Sequence, residues 1–133
     1  MQQRETDLLL RLALCWNNLD SRFIDKILRG DCIFESQWVL TPIHGRQSII
    51  AYLNSKFNAI RSAQKLEIMS VTAELGYHPD MNNKPCLVLT QIHNKGIRQV
   101  SILIQIIECK ISRIDVCFIP DPTQAILTGE IPR

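Results

Sequence analysis

Residues 31–57, DCIFESQWVLTPIHGRQSIIAYLNSKF, constrain this 133-residue chain more than any other stretch. Cys32, Ile33 and Phe34 form an apolar run that Glu35 and Ser36 break and Trp38, Val39 and Leu40 resume. Short runs of this kind, rich in β-branched and aromatic residues, suit strands. Thr41-Pro42 marks a turn, because proline fixes its own φ and moves the preceding residue out of the helical region. Gly45 permits a sharp corner. Ile49, Leu53, Phe57 and Ile60 then recur at helical spacing, with Ile50 widening the stripe.

Two further helices are expected upstream. Leu8, Leu9, Leu12, Trp16 and Leu19 describe an amphipathic first one, and Asn17-Asn18 weakens its end. Asp20 or Ser21 can cap a short second one, with Phe23/Ile27 and Ile24/Leu28 paired four apart and Gly30 as its stop. Downstream the pattern changes to strands over 65–75, 85–93, 97–108 and 111–119. They are separated by the loop GYHPDMNNK, the hairpin turn at Asn94-Lys95-Gly96 and a tight turn at Cys109-Lys110. Pro120 and Pro122 stop the last strand, and 120–133 reads as a tail without clear structure. The expected organisation is one domain, 1–133, with its core at about 5–119.

Hydrophobic residues make up 46% of the chain, which suits a globular domain with a real core. The net charge is +2 with scattered basic residues, which argues against nucleic acid as a partner. Cysteines 15, 32, 86, 109 and 117 form no CxxC pair, so zinc has little support and reduced, largely buried thiols are expected. A cytoplasmic setting follows from that usage. At the N-terminus Glu5 and Asp7 offset Arg4, and Arg11 interrupts the apolar run, which argues against an export signal, and no run is long enough to span a membrane.

Phe34 before a polar pair, Pro42, Gly45 and the Ile49/Phe57 helix, in this order of elements, resemble the nuclear-transport-factor-2-like domains. That group includes the ketosteroid isomerases and the SnoaL-like polyketide cyclases. The resemblance implies an α+β fold: a cystatin-like cone in which three N-terminal helices pack on a curved, mostly antiparallel sheet around a conical pocket. It also implies pairing of two copies through their sheets and a pocket lined by aromatic positions. Trp16, Phe34, Ser36, Trp38, His44, Tyr52 and Phe57 are the candidates for that pocket, with a small apolar ligand as its occupant.

The strand at 97–108 is apolar on one face, Val100, Ile102, Ile104 and Ile106, and half apolar on the other, Ser101, Leu103, Gln105 and Ile107. A sheet packed on one side alternates more cleanly. The second set is therefore the candidate face of a homodimer, with a local cover by the 123–133 tail as the competing explanation. His78 and His93 are expected in solvent. His44 could serve as a base near neutral pH, although a hydrogen-bonded corner residue explains it as well. Asp115 shares a face with Arg113 and reads as a surface pair. No Ser-His-Asp order, phosphate loop, metal spacing or cofactor motif is present.

Resemblance to the steroid isomerases implies a carboxylate base at the end of the first strand and an acid pair for the enolate oxygen. Ser36 occupies the base position, Glu35 points to the opposite face by alternation, and 100–107 carries no acid. The chain therefore reads first as a non-catalytic dimeric module, with or without a small apolar ligand. The other reading is a cofactor-free isomerase, cyclase or hydratase.

Overall fold

The computed structural model describes residues 2–37, 39 and 41–133. Helix α1 (Gln2–Asn18) presents Leu8, Leu9, Leu12 and Trp16 as one buried stripe. It stops where Leu19 takes a positive φ of 54° and the Asp20 amide donates to the Cys15 carbonyl. The expected second helix is not formed. Asp20 caps only a 3-10 turn, Ser21–Phe23, by accepting from the Arg22 amide, and the chain enters strand β1 (Leu28–Ser36) directly. Gly30 therefore lies within β1 and is not a helix stop. Ile24, Ile27 and Leu28 are buried all the same, because an apolar residue needs cover and not a particular backbone.

The short strand β2 (Ile43–His44) pairs antiparallel with β1. At Gly45, φ is 94° and the amide donates to Cys32. This corner turns the chain into helix α2 (Arg46–Lys65), whose buried residues are Ile49, Leu53, Phe57 and Ile60. Among the described residues two α-helices, not three, thus pack on the sheet.

Strands β3 (Met69–His78), β4 (Lys84–His93), β5 (Gly96–Ile107) and β6 (Lys110–Cys117) form an antiparallel meander. Glu108 and Cys109 both take positive φ, which closes a two-residue turn with the twist that hairpins require. Strand β1 joins β6 in parallel, so the curved sheet is mixed, in the order β2-β1-β6-β5-β4-β3-β7.

The segment expected to be unstructured is ordered. After β6 the chain makes a 3-10 turn, Pro122–Gln124, and then strand β7 (Ile126–Leu127), which pairs with β3 at the far side of the sheet. Getting there means crossing β5, β4 and β3. It passes close to Gly76: a Cβ there would lie 2.9 Å from the Ile126 carbonyl oxygen. Beyond β7, the Thr128 amide donates to Leu75, and the Leu75 amide to Glu130. Asn17 on α1 completes the attachment. Its Nδ2 donates to Ala73 and Pro132, and its Oδ1 accepts from the Ala73 amide. The tail therefore starts on the outer face of the sheet, rounds its β3 edge and ends against α1.

Candidate functional site

Helix α2 and strand β1 bring four of the candidate pocket residues into two ring pairs. Trp16 of α1 meets Phe57 edge-on, with centroids 5.0 Å apart and planes at 79°. Phe34 of β1 meets Tyr52 at 5.3 Å and 48°. Trp16, Phe34 and Phe57 are buried, whereas Tyr52 flanks the α2 stripe and is half-buried. Ser36 ends β1, half-buried beside Val116 of β6. His44 is exposed on β2 opposite Ile33. Trp38 lies outside the described residues. Ser36, His44 and Tyr52 are thus the described candidates that still reach solvent. An open groove of about 730 Å³ runs elsewhere, along α1, with Leu10, Arg11, Leu14, Ile27 and Ile131 among its walls.

Glu35 follows Phe34 and so points to the opposite face of β1. There it pairs with Arg113, which also holds Asp115 at 3.0 Å. Hydrogen bonds to both carboxylates push the Arg113 guanidinium above its ordinary value. Glu35 is therefore ion-paired on the outer side of the sheet, away from Phe34 and Tyr52.

On α2, Tyr52 and Lys56 sit four residues apart, the spacing at which helical side chains are neighbours. Burial pushes the Tyr52 hydroxyl up and the Lys56 ammonium down. Burial also pushes the Cys32 and Cys117 thiols up to about 11 and Cys86 up to about 12, with Asp31 and Asp115 adding to the first two. Cys15 moves the same way. These four thiols stay protonated near neutral pH, and protonated thiols are poor nucleophiles. Among the described residues no group of three or more His, Cys, Asp and Glu side chains is placed to hold a metal.

The faces of β5 divide as their alternation implies. Val100, Ile102 and Ile104 belong to the core under the helices. On the other face Leu103 is half-buried, and Gln105 and Ile107 are exposed on either side of a register shift between Gln105 and Ile106. Ser101 departs from this set: it is wholly buried. Its hydroxyl donates to the Pro120 carbonyl at 3.0 Å and lies 3.0 Å from His78 Nε2. His78, expected in solvent, is 2% exposed. β3 runs on to residue 78, and Ser101, itself bonded to Pro120 of the tail, lies against the ring. Residues 78 and 101 are far apart in sequence, and no local pattern signals their pairing.

No family model matches the chain, and no curated protein matches it. Solved structures do. A nuclear-transport-factor-2-like protein of unknown function from Cytophaga hutchinsonii is 16% identical, with a TM-score of 0.57 over 88% of this chain and 91% of that one. A steroid delta-isomerase from Pseudomonas aeruginosa is 12% identical, with a TM-score of 0.63 over 86% and 78%. A polyketide cyclase, named as such by inference, from Sinorhizobium meliloti is 11% identical, with a TM-score of 0.62 over 87% and 98%. At these identities the likeness is one of fold. The chain has the nuclear-transport-factor-2-like fold, built among the described residues from two α-helices and a seven-stranded sheet.

Proposed function

We propose that this protein is a non-catalytic, dimeric module of the nuclear-transport-factor-2-like fold. The observation that carries the reading is the pairing of Glu35 with Arg113 on the outer face, which leaves Ser36 at the place where a steroid isomerase would keep its base. A serine hydroxyl holds no useful anion near neutral pH without a partner base. The dimer reading draws on Leu103 and Ile107 of β5, at least partly open on the outer side, together with Phe118 and Ile119, which follow β6 and are exposed. Interfaces of mixed polarity are ordinary for association. A small apolar ligand has Ser36 and Tyr52 to meet on the Phe34 side of β1, whereas His44, opposite Ile33, belongs to the other face. The buried, free thiols favour a cytoplasmic setting.

The alternative, a cofactor-free isomerase, cyclase or hydratase, has one observation in its favour, the Tyr52/Lys56 pair on the flank of α2. One experiment separates the two readings. Hydrogen exchange α to the ketone of a model enone is followed with the purified protein and with Glu35→Gln and Tyr52→Phe. The module reading expects no exchange above buffer in any of them. Exchange abolished by Tyr52→Phe or Glu35→Gln makes the protein an enzyme and defeats it. Light scattering at micromolar concentration reads the dimer, and a monomer that persists on concentration defeats that part.

A further inference from the structure

Cys86 and Val88 sit on β4 on either side of Leu87, which belongs to the core under the helices. Alternation therefore points Cys86 and Val88 to the outer face, and neither is part of that core. Both are nonetheless buried, as is Ser101, which pairs with Val88 across the β4–β5 ladder. What lies on that face is the segment that crosses from β6 to β7. Its 3-10 turn packs on β5, its Pro122 is buried, and its Pro120 carbonyl accepts from Ser101. The segment shows its own apolar side chains to solvent in exchange, with Ile119 80% exposed.

We propose that residues 118–128 form a clasp over the outer face, held shut by neutral His78 and released by acid, so that pH decides which surface the sheet offers to a second copy. The hydroxyl of Ser101 has one hydrogen, and it goes to Pro120. Nε2 of His78 must therefore carry the hydrogen between ring and hydroxyl, which leaves Nδ1 with its lone pair. A second proton would go to Nδ1 and place a cation on a ring that is 2% exposed. The charged neighbours are Asp121 on the clasp, Asp80 in the turn after β3, and Lys84 opposite His78 on β4. The lysine is already bound to Glu5 and the Ile104 carbonyl. The two aspartates favour the proton, but loss of water is the larger effect and holds the imidazole below its ordinary value. An open clasp returns the ring to water, so the open form takes the proton more readily and acid favours opening.

The cysteines supply the readout. Cys86 reports the clasp, Cys15 and Cys32 in the core report global unfolding, and exposed Cys109 reports reagent activity. The intact protein is labelled with 2,2′-dithiodipyridine, which stays reactive in mild acid, and each site is followed by peptide mass spectrometry. Between pH 7.5 and 5.5, Cys86 labelling relative to Cys109 is expected to rise, with a ceiling of about tenfold over the whole window for one proton taken up at an open-form value of about 6.5. Cys15 and Cys32 should not change. His78→Gln should flatten the response, and Ser101→Ala should raise Cys86 labelling at both pH values. Three results would overturn the clasp: a Cys86 rate indifferent to pH, one that rises together with Cys15 and Cys32, or one that keeps its pH dependence in His78→Gln. A His78 ring that titrates above its ordinary value of about 6.5 by NMR does the same without any substitution. Only the consequence for a second copy rests on the dimer reading. Light scattering on the same samples reads it separately, so a monomer would defeat the dimer and leave the labelling result standing.

Discussion

The two faces of β5 are covered by different means. Val100, Ile102 and Ile104 lie under α1 and α2 in an unbroken aliphatic layer. Ser101, one residue away on the other face, is equally buried, yet its cover is a length of irregular chain held by a hydroxyl, an imidazole and a carbonyl. Apolar cover is non-directional and survives small shifts of the chain. Polar cover depends on each donor finding its acceptor, and a lost partner leaves the other group buried and unsatisfied. The inner face should therefore be the rigid one and the outer face the one that opens.

Substitutions can break this contrast, beginning with the largest effect. Leu53→Ala empties a site in the inner layer and is expected to cost about 2–5 kcal/mol in urea unfolding. Leu103→Ala on the outer face should cost well under half as much, and equal costs would erase the distinction. Asn17→Ala removes the three hydrogen bonds that join α1, β3 and the tail, with an expected loss of about 1–3 kcal/mol. Hydrogen exchange should place that loss first at the tail, with the Thr128 and Leu75 amides exchanging before those of α2.

Gly76→Ala puts a methyl group where the Ile126 carbonyl lies and should push β7 off its neighbour for roughly 1 kcal/mol. Unchanged protection of Thr128 would show that the edge strand yields without detaching. The smallest effect is on the pH profile. His78 binds its proton less readily folded than unfolded, so the unfolded chain carries more protons around pH 6 and stability rises with pH there. Its contribution is complete above about 6.5 and fades as pH falls, by less than about 1.4 kcal/mol per pH unit. Subtracting the profile of His78→Gln from that of the wild type should isolate it, and a difference of opposite sign would refute the assignment.

Periodicity was a sound guide wherever neighbours in sequence share one cover. The α2 stripe of Ile49, Leu53, Phe57 and Ile60, and the inner set of β5, are legible because each repeats against a single surface. The same rule misleads at Ile24 and Leu28. Their four-residue spacing suits a helix, but a 3-10 turn and the start of β1 bury them equally well. In the tail Pro120, Pro122, Gly129 and Pro132 erase any period, and order comes from partners remote in sequence: Ser101, Leu75, Glu74 and Asn17. For the candidate site, the direction of Glu35 could be read from alternation. Its tie to Arg113 could not, because it depends on the parallel pairing of β1 with β6.

The route of the tail around the β3 edge also bears on synthesis at the ribosome. Residues 118–132 are the last part of this fold to emerge, so there is an interval in which the meander and both helices are already outside. β3 still presents an unpaired edge next to bare Val88 and Cys86, and an uncovered strand edge is a template for another nascent chain. Neighbouring chains on one message meet in this state, before their own tails have arrived to cap it.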